Sequence, residues 1–297
     1  MTPTAQQLTA AVNSAAARAL GSTPLQPEKA RNYSVGLTFS PTRRLNAAID
    51  FYQIDVDNQL GRSSNIGYNN TDPANIRDPN GTPLTAAQKQ TIDQLLGTAG
   101  ITIAPGDNYS VNYYTNIGDT RTRGFEFTLE SSHDVGAGRL RWTYAFSKAW
   151  TDVLSTMPIP TVLQGLPNIT LLSTAALWDL KHRLPEYNQI ASLFWNQGPW
   201  NASLNVVSNG PTRRQASTDI AEYKIKSTFV ANVAAGYTFG NGVRFEVGAN
   251  NLFDEYPTKV PEAAQTASSL AIYDFQYTSG SLSRQGGFYF ARLHYNF

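Results

Sequence analysis

Cysteine is absent from this 297-residue sequence, which excludes disulfide frameworks, cysteine-ligated zinc, iron–sulfur clusters and thiol nucleophiles. Charge is scarce too. Asp, Glu, Lys and Arg make up 15% of the chain, against about a quarter in a soluble domain. The balance of 23 Lys and Arg with 22 Asp and Glu leaves a formal charge of +1, so no basic footprint for nucleic acid is expected. No run of about 18 apolar residues occurs, which rules out a membrane-spanning helix. Met1 to Leu20 does not read as a secretory signal, because it lacks a basic start and Asn13, Ser14 and Arg18 interrupt its apolar stretch. Aromatic residues, by contrast, are plentiful, at 11% of the chain with 15 Tyr, 14 Phe and 5 Trp.

The aromatic and aliphatic residues fall at period 2, which on an extended chain places them on one face and the polar residues on the other. Tyr33, Val35, Leu37 and Phe39 form one such row, and Leu140, Trp142, Tyr144 and Phe146 another. Trp200 to Val206, Phe229 to Phe239, Val243 to Ala249 and Tyr289 to Phe297 repeat the pattern. Less regular stretches at 45–60, 109–131 and 186–195 bring the count to about nine strands, each near the length that crosses a bilayer when tilted. The apolar phase slips between Phe51 and Tyr52, as a β-bulge or emergence from the membrane would produce.

The connections sort by length. Those at 41–43, 132–138, 196–199 and 240–242 are short, those at 61–108, 152–185, 210–222 and 252–282 are long, and the two kinds alternate. All long loops therefore leave one end of the sheet. A soluble Greek-key sandwich has no cause for this sorting, whereas an outer-membrane barrel pairs short periplasmic turns with longer extracellular loops. The expected fold is all-β: an antiparallel transmembrane β-barrel portion in which sequential strands pair and the apolar rows face outward. Thr85 and Gln88 form a capping box ahead of Ile92, Leu95 and Leu96, with Gly97 or Gly100 as stop, and Thr4 to Leu20 reads as a second, Ala-rich helix. Both helices are expected to decorate loops. Residues 1–30 are thus expected to be an extracellular loop segment and 31–297 the barrel wall.

Several stretches between Gln26 and Phe297 resemble the TonB-dependent receptors of Gram-negative outer membranes. Pro27-Glu28-Lys29 with Asn32, Tyr33 and Gly36 is similar to the start of a family strand after a long loop. Tyr113-Tyr114-Thr115-Asn116 followed by Asp119-Thr120-Arg121-Thr122-Arg123-Gly124-Phe125-Glu126 resembles the family's long strand with its Arg-Gly-aliphatic-Glu core. Asn250-Asn251-Leu252-Phe253-Asp254-Glu255-Tyr256-Pro257 resembles the stretch closing the penultimate strand and is the most specific of these matches. Phe297, Tyr295 and Leu293 resemble the assembly signal read by the barrel-insertion machinery. Gly287 and Arg292 depart from the family, which usually has Arg and a small residue at those places.

The resemblance implies about nine strands of a 22-stranded barrel with a plugged lumen. Plug domain, TonB-binding box and first strands would then precede Met1, the chain being a fragment or a truncated gene model. It also implies a location in the outer membrane, among lipid and lipopolysaccharide, and energising by TonB with ExbB and ExbD. Gly124 and Glu126 become candidate plug-facing residues. Gly124 either lets a plug backbone approach or permits a kink in the wall.

Little catalytic chemistry is present. His133, His182 and His294 are the only histidines, without a G-x-S-x-G elbow. Asp55-Val56-Asp57-Asn58 lacks the Gly and distant Glu of a calcium loop. No enzyme activity, cofactor or metal site is expected. What remains is ligand binding by the long loops, where Arg213, Arg214, Tyr223, Lys259, Tyr273, Phe275, Tyr277 and Arg284 combine cations with aromatics. That mixture suits an anionic, partly apolar ligand such as a ferric siderophore complex. It equally suits interface-belt aromatics with cations facing lipopolysaccharide. Active uptake is the leading expectation, with a passive porin-like channel and an outer-membrane hydrolase as alternatives.

Overall fold

A computed structural model describes residues 5–79, 81–167, 169, 171, 174–182, 184–215, 222–240, 242–262, 264 and 285–295. The chain opens with β1 (Ala5–Ala10), α1 (Ala15–Ala19), β2 (Lys29–Thr42), β3 (Leu45–Arg62) and β4 (Ile66–Asn69). Next come α2 (Ala86–Gly97), β5 (Asn108–Val135), β6 (Gly138–Thr156), a short 3-10 turn (Thr161–Leu163) and α3 (Thr174–His182). It continues with β7 (Tyr187–Gln197), β8 (Trp200–Asn209), β9 (Thr212–Arg214), β10 (Tyr223–Ile225), β11 (Thr228–Thr238), β12 (Val243–Asn250) and β13 (Phe288–Tyr295).

The large sheet follows the order β13-β12-β11-β8-β7-β6-β5-β3-β2. Once the loop strands β4, β9 and β10 are set aside, each wall strand lies beside its sequence neighbour, and β6 to β13 pair antiparallel. The register joins the apolar rows: Trp142 stands opposite Leu193, Leu193 opposite Leu204, Leu204 opposite Val233 and Val233 opposite Ala249. Polar residues occupy the other face, where Thr143, Ser192, Asn205 and Asn232 follow one another across the same strands. A sheet that turns a largely apolar face outward fits lipid as its solvent. Tyr33, Val35 and Leu37 are 58%, 69% and 62% exposed, not packed into a closed core.

Contacts divide the chain into two compact units: Met1–Arg31, Ile54–Arg121 and Asp152–Leu180 in the first, and Asn32–Gln53, Thr122–Thr151 and Lys181–Phe297 in the second. The second unit carries two aromatic clusters on the apolar face. Phe51 and Phe125 lie 6.0 Å apart, Phe125 and Phe146 5.6 Å, and Phe146 and Tyr187 6.0 Å. At the short-turn end Trp200 meets Tyr237 at 4.7 Å and Tyr237 meets Phe239 at 4.8 Å. Along β7, Tyr187 is separated from the Trp200 level by the whole strand, which rises about 33 Å. At the usual barrel tilt that spans about 25 Å, the height of an outer-membrane apolar band between its two aromatic girdles.

The first unit departs from expectation. The connections around α1, around α2 and after β6 do more than decorate: they share a core that includes Ala17, Leu20, Ile66, Tyr68, Leu96, Val111, Tyr113 and Leu163. Burying each larger side chain contributes about 1.5–3 kcal/mol. The expected helix over Thr4 to Leu20 is a correction as well, since only Ala15–Ala19 is helical, capped by the Ser14 hydroxyl. Residues Ala5–Ala10 form a strand parallel to Asn108–Tyr113 of β5, which corrects the expectation of an all-antiparallel sheet. The pair lies off the wall order, and so distant a segment needs no hairpin to reach β5. The capping box at α2 is present in both directions: Thr85 Oγ1 accepts from Gln88 N at 3.2 Å, and Gln88 Oε1 accepts from Thr85 N at 2.9 Å. Within this unit Arg121 Nε and Nη2 donate to the two Asp55 oxygens at 2.7 and 3.1 Å, and Arg31 Nη2 alone donates to both Asp57 oxygens at 3.1 and 3.0 Å. The acidic run Asp55-Val56-Asp57 is thus an ion-paired stretch inside β3, which continues to Arg62, and not a strand end.

Candidate ligand-binding surface and lumen wall

The segment holding Arg213 and Arg214 is a small hairpin, with Tyr223 opposite Arg214 and Lys224 opposite Arg213. Alternation sends the two arginines to opposite faces of this ribbon. Arg213 and Lys224 are exposed, and Arg214 and Tyr223 half-buried. Glu222 Oε1 accepts from Arg213 Nη1 at 3.0 Å, so part of the charge expected to meet a ligand is already balanced. Lys226 N donates to Thr258 Oγ1 at 3.0 Å, which brings the stretch holding exposed Lys259 to the exit of the hairpin. Arg213, Arg214 and Tyr223 therefore share the hairpin, and Thr258, next to Lys259 in sequence, touches its exit. Tyr273, Phe275, Tyr277 and Arg284 lie outside the described residues.

Beside them, the stretch from Asn250 to Pro257 is a built turn. Asn251 and Asp254 adopt left-handed φ of 53° and 55°, a region that asparagine and aspartate tolerate. Asp254 Oδ1 accepts from Gly287 N at 2.7 Å, pinning the start of β13. The Asp254 carboxylate, as hydrogen-bond acceptor, raises the Tyr256 phenol above its ordinary pKa.

Gly124 is closely covered. A Cβ there would lie 2.5 Å from the Tyr52 ring and hydroxyl and 2.6 Å from the Lys148 carbonyl. Side chain and backbone of neighbouring wall strands thus account for this glycine. Glu126 is exposed on the same face of β5. Leu293 and Tyr295 continue the apolar rows opposite Phe245 and Val243 and are 71% and 56% exposed. Phe297 lies outside the described residues.

Among the described contacts, His133 does not activate Ser131. Ser131, 2% exposed, donates its single hydroxyl proton to the Arg44 carbonyl at 2.6 Å, so the 2.8 Å contact with His133 Nε2 is one in which the imidazole donates. His182 ends α3, and His294 stands opposite Arg244 on the polar face. Among the described residues no group of three His, Asp or Glu side chains is placed to hold a metal ion.

Sequence reasoning missed Asn232, Asn250 and Phe288, which line a cavity on the polar face of the second unit. Their signal was the amide-rich alternate positions of β8, β11 and β12.

An antiparallel wall with aromatic girdles, an outward apolar face and sorted loops defines an outer-membrane β-barrel class. A family model described as "TonB dependent receptor-like, beta-barrel" matches residues 1–252. The chain belongs to this family, whose members are outer-membrane proteins of Gram-negative bacteria. Among solved structures it is similar to the siderophore receptor PirA from Acinetobacter baumannii, with 18% identity and a TM-score of 0.51 over 92% of this chain and 32% of that one. It is also similar to a G324V mutant of the ferric enterobactin receptor PfeA from Pseudomonas aeruginosa, with 14% identity and a TM-score of 0.50 over 90% of this chain and 31% of that one. The chain thus spans about a third of the length of these receptors. No curated protein matches.

Proposed function

We propose that this chain is the wall of a receptor that takes up a scarce nutrient across the outer membrane, energised by TonB with ExbB and ExbD, and that its ligand is a ferric siderophore complex. Family membership supports uptake. The observation that carries the ligand is the pairing of Arg214 with Tyr223 across the β9–β10 hairpin, whose exit touches Thr258, next to Lys259 in sequence. A guanidinium and an aromatic ring at paired positions offer charge-assisted hydrogen bonds and an apolar face to one anionic ligand. The protein is a transporter and not an enzyme in this reading. Glu126 faces a plug, and Phe297, Tyr295 and Leu293 are read by the barrel-insertion machinery.

The test is ferric-siderophore binding to the protein purified from outer membranes. Changing Arg213 and Arg214 together to Ala weakens binding at least tenfold, about 1.4 kcal/mol, without loss of folded protein. Binding of every ferric complex unchanged in the double variant removes this site.

A further inference from the structure

A recess of about 400 Å³ lies on the outward face of the wall and wholly within the second unit. Side chains of Tyr33, Val35, Phe51, Gln53, Arg123 and Trp150 surround it. The intervening Ser34, Tyr52 and Gly124 alternate to the other face, where the Tyr52 ring covers Gly124, so backbone makes the floor. The recess begins where the wall leaves the apolar band. On β3 and β5, Phe51 meets Phe125 and, further along, Asp55 is bonded to Arg121. The interval is the same on both strands, 51 to 55 and 121 to 125, so neither carries an extra residue. The slip in apolar phase after Phe51 is therefore the edge of the membrane and not a bulge.

Three strands change character at that edge. On the outward face Phe51 gives way to Gln53, Phe125 to Arg123 and Phe146 to Lys148. Lys148 stands opposite Tyr187, whose ring stacks on Phe146, and both Lys148 and Arg123 are exposed. This is the long-loop end of the wall, which in an outer-membrane barrel is extracellular. Two exposed cations thus stand beside a concave aromatic surface at the headgroup depth of the outer leaflet. A guanidinium forks onto two phosphate oxygens and an ammonium adds a point charge. Gln53 and the Tyr33 hydroxyl offer hydrogen bonds to a sugar that carries the phosphate, while Val35 and Phe51 continue as exposed apolar surface for an acyl chain. A plain interfacial belt needs aromatic rings but no such hollow. The carboxylates on this face lie further toward the loops: Asp55 is held by Arg121, and Asp152 follows Trp150 by two residues. A lipid entering from the membrane side meets the cations first.

We propose that this recess is a binding site for lipopolysaccharide of the outer leaflet, with a lipid A phosphate on Arg123 and Lys148 and an acyl chain along Val35 and Phe51. The inference goes beyond the uptake reading and rests on the wall alone. The experiment is native mass spectrometry of the protein, purified from outer membranes in an uncharged detergent and stripped of lipid. It is titrated with bisphosphorylated lipid A, with the dephosphorylated form and with phosphatidylglycerol. Bisphosphorylated lipid A binds saturably and at least tenfold more tightly than either of the others. Arg123→Gln with Lys148→Gln weakens it at least tenfold, whereas the Arg213/Arg214 double variant binds as the unaltered protein does, so this site and the hairpin fail separately. A second arm changes no charge: a photocrosslinking residue in place of Val35 captures lipid A in the membrane, and one in place of Phe229, at the same end of the wall on β11, captures at least tenfold less. The proposal is overturned if the three lipids bind alike or not at all, if the folded glutamine variant binds as tightly as the unaltered protein, or if the two crosslinking positions capture equally.

Discussion

Asn251 and Glu255 hold each other by two hydrogen bonds: Asn251 Nδ2 donates to the Glu255 carbonyl at 2.8 Å, and Glu255 N donates to Asn251 Oδ1 at 3.0 Å. One side-chain amide thus imitates the edge of a strand and closes the turn that follows β12. Because Asn251 N also bonds Asn232 on β11, the turn is tied to the wall.

Asn251→Gly keeps the left-handed backbone but loses the two amide bonds, whereas Asn251→Ala loses both features. The order of stability is unaltered protein, then glycine, then alanine, with alanine lower by about 3 kcal/mol from strain and unmade hydrogen bonds together. Urea midpoints of the folded protein in micelles measure it. Equal midpoints for the two variants would show that the backbone conformation contributes nothing.

Gly124→Ala drives a methyl group into the Tyr52 ring and the Lys148 carbonyl, at a cost of about 1–3 kcal/mol. Combining it with Tyr52→Ala relieves the ring but not the carbonyl. A double-mutant cycle gives a coupling of about 1 kcal/mol in the relieving direction. Strict additivity would mean that ring and glycine do not meet.

In the first unit, Tyr68 and Lys89 both converge on Asp93, and Lys89 Nζ sits 4.9 Å over the Tyr68 ring. Burial, with the Asp93 hydrogen bond, raises the Tyr68 phenol, and the Asp93 hydrogen bond raises Lys89. Both groups hold their protons more tightly when folded. Their contribution is therefore complete below the unfolded values, near pH 10, and is lost as pH rises through the folded ones. Amide exchange of α2, corrected for intrinsic rate, accelerates above about pH 10, and the variant Tyr68→Phe with Lys89→Met removes that rise. An unaltered rise in the variant would place the titration elsewhere.

The wall was legible in the sequence because period-2 alternation is local: Trp142, Leu204 and Val233 could each be assigned a face before any pairing was known. The α2 cap was legible for the same reason. The first unit was not, since Leu20, Ile66, Leu96 and Leu163 come from separate connections and no local pattern announces a shared core. The Ala-rich start misled because alanine favours helix wherever tertiary pairing does not override it, and β5 pairs with Ala5–Ala10. The opposed faces of Arg213 and Arg214 follow from alternation alone, but only once Thr212–Arg214 is known to be a strand. The cavity residues Asn232, Asn250 and Phe288 sit on three strands, and only the register brings them together.

The central claim is that the alternating strands form a membrane wall with the apolar rows toward lipid. The absence of native cysteine makes single-cysteine spin labels along β11 a clean probe. Labels at Val233, Ala235 and Tyr237 should be relaxed chiefly by lipid-soluble oxygen, and labels at Asn232, Ala234 and Gly236 by a water-soluble nickel complex, alternating residue by residue. Loss of that alternation, or its inversion, would contradict the account.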